Sequence, residues 1–409
     1  DVSFDRVEGG LDDVTCTLMG LNALSASPAG WTALSLVPSV TSNGDGTETV
    51  TYADVESDPY FTGLQQGFVR LKIDLDEDGN MIPEQTASTP AFGWTHRTFG
   101  PECVMTGHPY LKDKLFCGTV DAVAGNMLDV TTSAGSESIV AQLVPDRQYF
   151  IEVYTGDNAG HRFDLDEAAC TATGIALDAV NSRNTQASVP ASLAGDKVVI
   201  REHHTLNDLF PKTEFTATNN AATADRLMFM NRGVGTYTIY WLLLNGGNPK
   251  WVLYGDGAAA DQGTRVVDPA EGWYTHPRTT SHEVVWHGMV RANPFACPLV
   301  AGPTFVGSAY PMDQSPALRG MTTAAGFLGS RDPSLADQLL FWKGYTSTQT
   351  MAYYNHFLLS AGVLQQWTEQ GNALLTNENG LMLFKPTTGV IYRMRNGLSQ
   401  YVMPLPWTP

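Results

Sequence analysis

One stretch of this chain is written twice. Ala224-Asp225-Arg226-Leu227-Met228-Phe229 leads into a Tyr/Trp-rich run, a strand carrying Trp251, and Gly272-Trp273-Tyr274-Thr275-His276-Pro277. Further on, Ala336-Asp337-Gln338-Leu339-Leu340-Phe341 leads into Tyr353-Tyr354, Trp367 and Gly380-Leu381-Met382-Leu383-Phe384-Lys385-Pro386. Each proline is soon followed by a Thr-Thr pair, Thr279-Thr280 and then Thr387-Thr388. What recurs is apolar strand, turn and proline rather than a set of reactive side chains. Such a unit exposes one apolar face and must bury it against a partner, which predicts a scaffold of duplicated β-units.

Composition points the same way. Only 16% of the 409 residues are charged, against 39 glycines and 23 prolines, a balance that suits an all-β extracellular protein better than a helical enzyme. The net charge of −18 argues against nucleic acid or an anionic membrane as partner, because both need clustered Lys and Arg. No apolar run is long enough to span a bilayer as a helix, and a start at Asp1 rather than Met fits a mature chain freed of a signal peptide. Secretion is the expectation. The five cysteines contain no C-x-x-C, and their odd number leaves at least one without an internal partner. Cys103 and Cys117 flank a short Gly/Pro-containing loop and are the best pair for a disulfide.

Strand signals dominate the chain. Phe68 to Ile73 reads as a strand, and three hairpins are marked by turn residues: Ala124-Gly125-Asn126, Gly156 to Gly160, and Asn245 to Pro249. Helical turns are expected only at Leu206 to Phe210 and Ser334 to Gln338. Gly30 to Pro38 resembles Gly302 to Pro311, and Thr205 to Phe210 occupies the place held later by Ser315 to Met321. The resulting division has a first part of β-unit 1 with an acidic hairpin (1–117), an inserted small β module (118–201), the remainder of β-unit 1 (202–295), and β-unit 2 (296–409). The predicted fold is all-β: two duplicated β-sandwich-like units with an inserted small β-barrel-like module.

The Gly125-Asn126 hairpin, Thr155-Gly156-x-x-Ala159-Gly160-x-x-Phe163-Asp164, Ala194-Gly195-Asp196, His204-Thr205-Leu206, Ala224-Asp225 and Gly272 to Pro277 follow one another in a set order. In that order the chain resembles an uncharacterised family of secreted bacterial β-rich proteins known only by a serial family label. The resemblance implies secretion and an all-β fold, and it carries no activity or catalytic residue.

Candidate chemistry is sparse. His282-Glu283-Val284-Val285-Trp286-His287 approaches a zinc-protease motif, but its spacing is one residue too long and its β-branched, aromatic run predicts a strand. Glu283 and His287 should then share one face while His282 takes the other. The adjacent His203-His204, preceded by Glu202, should also diverge. No G-x-S-x-G elbow, P-loop or dinucleotide fingerprint is present. Asp74-Leu75-Asp76-Glu77-Asp78-Gly79-Asn80 places alternate carboxylates before a glycine, as an oxygen-ligand calcium loop does. Asp74, Asp76, Asp78 and Asn80 are the candidate calcium ligands. Gln85 stands where a bidentate Glu is wanted, so an acidic β-turn is the competing reading.

These observations predict a secreted, non-enzymatic structural protein that assembles with copies of itself into a filament or surface layer. An N-terminal extended segment is expected to pack on a neighbouring subunit. The alternatives are a carbohydrate-binding or adhesin module that stacks surface polysaccharide on Trp273, Tyr274, Trp286, Tyr353 and Tyr354, and a carbohydrate-active hydrolase.

Overall fold

The computed structural model describes residues 1–7, 14–24, 30–75, 85–132, 138–181, 183–345, 351–398 and 401–407. Among the described residues the chain is nearly all β, with short helical turns only, and it divides into two compact units. One comprises Asp1–His96 with His287–Val290 and Trp407; the other comprises Arg97–Trp286 and Arg291–Pro406.

In the first unit, Val2–Val7, Thr47–Tyr52 and Ser39–Ser42 form a three-stranded antiparallel sheet with Thr47–Tyr52 at its centre. Alternation in Thr47–Tyr52 points Glu48, Val50 and Tyr52 inward, and Val50 and Tyr52 pack with Leu18, Phe61, Val69 and Trp94. Gln66–Leu75 lies between Val14–Leu21 and Phe92–Phe99 in a second antiparallel sheet. The N-terminal strand, expected to pack on a neighbouring subunit, pairs on one side with Thr47–Tyr52 of its own chain, and among the described residues no strand occupies its other side. There its apolar Val2 and Phe4 find a core within reach.

Within the larger unit, six strands between Lys114 and Glu202 form an antiparallel sheet whose edge strands are Arg162–Asp164 and Gly174–Ala176. A bridge between Leu165 and Leu177 joins those edges, so the sheet closes into a small barrel and no edge is left open there. Its interior is filled by Val120, Leu128, Ile151, Phe163, Ile175, Val198 and Ile200 among others, all buried.

Ten further strands of this unit form two five-stranded antiparallel sheets. The first contains β1 (Val104–Gly107), β2 (Arg226–Met230), β3 (Tyr237–Asn245), β4 (Asn248–Leu253) and β5 (Gly272–His276), in spatial order β4-β3-β2-β5-β1. The second contains β6 (Gly302–Val306), β7 (Gln338–Tyr345), β8 (Met351–Ala361), β9 (Leu364–Glu369) and β10 (Val390–Met394), in order β9-β8-β7-β10-β6. The two orders are the same, and so is the register. Met228 faces Tyr274 as Leu340 faces Ile391, and Leu242 faces Trp251 as Leu358 faces Trp367. Met105, Tyr274, Phe305, Leu340 and Ile391 share one core cluster, which makes the pair a sandwich.

This register corrects the sequence pairing in one place. The counterpart of Gly272 is Gly389, which precedes β10, and not Gly380. Thr387-Thr388 therefore matches Ala270-Glu271, and Gly380 to Pro386 precedes the strand. The counterpart of β6 is β1, whereas residues 30–38 hold only the two-residue strand Thr32–Ala33. Ser334 to Gln338 forms no helical turn, and β7 begins at Gln338. Cys103 and Cys117 are not bridged to each other; Cys103 lies in the sandwich core and Cys117 on a barrel strand.

Where β1 and β6 end, the sheets nearly touch. A Cβ on Gly107 would sit 2.4 Å from the Gly307 Cα, so only glycine allows the crossing. The Gly107 N–H donates to the Thr387 carbonyl at 3.1 Å, and the Gly307 N–H to the Ala270 carbonyl at 2.8 Å. Both acceptor residues are left-handed, Ala270 at φ 56° and Thr387 at φ 60°, a conformation disfavoured by about 1–2 kcal/mol for an L-residue with a side chain. The strain is held at both turns because the conformation accompanies a carbonyl bonded to the glycine that crosses from the other sheet.

Two buried aspartates fix the sheets' loops. The Asp225 carboxylate accepts the N–H groups of Thr216 (2.7 Å) and Arg278 (2.8 Å), while Asp337 accepts those of Leu328 and Arg395, both at 2.7 Å. Either aspartate replaced by Ala leaves two backbone donors without their acceptor, and should lower unfolding free energy by on the order of 3 kcal/mol. Urea denaturation followed by tryptophan fluorescence checks this; the exposed Asp121→Ala should shift the midpoint little.

Candidate functional site

A polar cleft of about 690 Å³ opens beside the turn before β5. Pro269 fixes its own φ, Ala270 turns left-handed, and the Glu271 N–H closes the turn on the Asp268 carbonyl at 2.9 Å. The Asp268 N–H in turn donates to Glu271 Oε2 at 3.1 Å, so both carboxylates belong to one rigid corner. Just before it, Val266–Val267 pairs with His204–Thr205, which draws the segment leaving the barrel alongside the sandwich.

Three arginines meet this corner. Arg265 holds Glu271 through both terminal nitrogens, at 2.7 and 3.0 Å, and lies 3.8 Å from the Phe229 ring centroid. Arg232 donates to Asp268 Oδ2 at 3.1 Å. Arg183 donates from Nε to Asp164 at 2.6 Å and from a terminal nitrogen to Gln148 at 3.1 Å; its Nε also lies 3.7 Å from Asp268. His203 Nε2 completes the network at 3.1 Å from Asp164. A second cleft of about 510 Å³ shares Gln148, Thr264 and Val266 and is flanked by Arg147, Glu202 and Asp208.

The two groups of carboxylates are tuned in opposite directions. Burial, reinforced by the charge of Glu271, raises the Asp268 pKa above the usual carboxylate range. Burial would also raise Asp164, but the hydrogen bond and charge of His203 and the charge of Arg183 outweigh it and lower its pKa. Arg265 is likewise raised, since Glu271 more than offsets the burial that would lower it. Behind the cleft, burial lowers the Arg162 pKa to about 10.

The residues singled out in the sequence lie elsewhere. Asp74 gives one oxygen to Lys72 (2.7 Å) and the other to Thr86 (2.6 Å), and these two partners lower its pKa. Asp76, Asp78 and Asn80 lie outside the described residues. Among the described residues no group of three His, Cys, Asp or Glu side chains is placed to hold a metal ion. His282–Met289 is a strand on which Glu283, Val285 and His287 are exposed and Val284, Trp286 and Gly288 buried. His282 falls on the opposite face from His287 and sits 2.7 Å from Asp225. His203 and His204 do diverge, one to Asp164 and the other against the His108 ring at 4.6 Å. Trp273, Tyr274 and Trp286 are core residues, and of the five aromatics only Tyr354 is well exposed, at 44%.

The chain matches no family model, no curated protein and no solved structure. The cleft residues were hidden in the sequence because Arg183 and Arg232 reach the Arg265–Glu271 corner from separate loops. Only the run Asp-Pro-Ala-Glu-Gly could have drawn attention, and it reads as an ordinary turn.

Three histidines, His161 buried and His204 and His276 half-buried, make stability depend on pH. Burial lowers His161, His204 and His276 from 6.5 to about 4, helped by the nearby charges of Arg162, Lys112 and Arg278 respectively. A folded pKa below the unfolded one gives stability that is present above pH 6.5 and is lost as pH falls toward 4. Melting temperature should therefore drop steadily over that window. His204→Gln should flatten the slope if its amide fits the same space, and an unchanged slope would count against the assignment.

Proposed function

We propose that this chain is a secreted structural building block that assembles with copies of itself, using open sheet edges as the joint. The observation that carries this reading is the strand Ser39–Ser42. All four of its residues are exposed, and its sequence, Ser-Val-Thr-Ser, contains neither charge nor proline. It pairs with Thr47–Tyr52 on one side, and among the described residues no strand occupies the other. Nearby Val37 is 89% exposed and Val40 47%.

Two other edges are managed differently. The edge strand β4 carries Pro249 and Lys250, two residues that discourage further pairing. The outer edge of β9 is filled from its own chain: Trp367 donates to the Asn379 side chain at 2.8 Å and accepts from the Glu378 N–H at 2.9 Å. Against that background an unguarded, uncharged edge supports strand addition by a second copy. The repeated sandwich fits a scaffold role, and the composition and net charge of −18 fit an extracellular setting.

Light scattering and negative-stain imaging test the proposal. Ordered oligomers are expected, and the double substitution Val37→Lys/Thr41→Lys should reduce them to monomers without loss of fold, since exposed substitutions shift stability by only about 0.5 kcal/mol. A native chain that stays monomeric at high concentration, or a double variant that assembles as before, defeats it.

A further inference from the structure

We infer that the cleft formed by Arg183, Arg232, Arg265, Asp268 and Glu271 binds a sugar acid, a small polyhydroxylated ligand bearing a carboxylate. The second sheet supplies the comparison. Its turn Lys385-Pro386-Thr387-Thr388-Gly389 repeats the proline, the left-handed third residue and the glycine of Asp268-Pro269-Ala270-Glu271-Gly272. The corner thus forms with Lys385 in place of Asp268 and Thr388 in place of Glu271. Counting back from the same prolines sets Met382 against Arg265.

Three charged wall residues, Arg265, Asp268 and Glu271, therefore stand where the same architecture accepts a methionine, a lysine and a threonine. The residues both sheets use are kept: Asp225 with Asp337, Trp251 with Trp367, Arg278 with Arg395. Desolvated charges that a fold does not require are unfavourable, and a cluster of them in a cleft marks a site.

The wall chemistry selects the ligand. Three guanidinium groups and two carboxylates give the lining a formal charge of +1, in a chain whose total is −18. An anion repelled by most of the surface meets an attractive field here. Asp268 engages one terminal nitrogen of Arg232, and the planar fork has further N–H groups to offer a carboxylate. Gln262 and Thr264 add an amide and a hydroxyl, and Glu271 can accept from ligand hydroxyls. So polar a wall suits a hydroxyl-rich molecule, and the volume falls within the usual 300–1,000 Å³ or so of small-molecule sites.

Calorimetric titration of the full chain with glucuronate and galacturonate, beside glucose, galactose and acetate, tests the assignment. At least one uronate should bind saturably and more tightly than its neutral sugar and acetate, with affinity falling as salt is raised. Arg232→Gln should weaken binding at least tenfold. Because that change also leaves Asp268 without its closest charge partner, a second variant is needed. Thr264→Trp fills the mouth from an exposed position and touches no ion pair, so it should abolish binding with the melting temperature unchanged. Lys385→Ala, at the matching turn, should leave binding as it was. The proposal fails if neither uronate binds, if the neutral sugars bind equally well, or if uronate binding survives Thr264→Trp.

Discussion

The sandwich depends on a buried carboxylate that holds backbone. Asp225 and Asp337 are each 1% exposed, and each is held between two main-chain N–H groups, one before its strand and one after the return strand. A hydrogen bond to a charged acceptor contributes about 1.5–3 kcal/mol, and an unsatisfied buried donor loses a comparable amount. The aspartate therefore decides where the loop from β2 and the return through β5 come together, and likewise for β7 and β10. His282 and Arg278, Arg395 and the loop ahead of β7 all take their places from this joint. The large aromatics then close around it. Trp251 and Trp367 bury their rings and donate indole N–H groups to the carbonyls of Phe210 and Met321, matching positions of the two halves.

A second constraint joins the two sheets. The Gly107 and Gly307 crossing brings backbone within contact distance, which excludes any side chain and forces the Ala270 and Thr387 corners into a strained conformation. One of those corners also carries Asp268 and Glu271. The candidate cleft thus rests on a turn that the sandwich already makes rigid, and rigid placement is what a binding site needs. The charges are the addition; the corner itself is architecture. Its geometry survives in the second sheet without them, which separates the two contributions.

The two functional proposals draw on different parts of the chain. Assembly draws on an uncharged edge in the unit built from Asp1–His96, and ligand binding on a charge network confined to the other unit. Their chemistry is also opposite, main-chain pairing in one case and desolvated side-chain charge in the other. Failure of either leaves the other standing.

The all-β class, the hairpins at Gly125, Gly156 and Gly246, and the Ala-Asp-strand repeat were legible in the sequence. Each rests on local rules: alternation, turn residues with φ > 0, and a short helical cap at Thr205. Side-chain alternation likewise settled that His282 and His287 point apart. Local rules fail where partners are distant. The match of Gly272 to Gly389 rather than Gly380 is set by which strand pairs with β2 and β7. The home of the N-terminal strand is set by the apolar faces of Val2 and Phe4 meeting a core that only folding creates. That Cys103 does not bridge Cys117 reflects its place in the sandwich core, which spacing along the chain does not report. The cleft was the least legible feature of all. Arg183 and Arg232 reach the Arg265–Glu271 corner from loops dozens of residues away, and the raised pKa of Asp268 follows from its burial beside Glu271, a property of the packed chain alone.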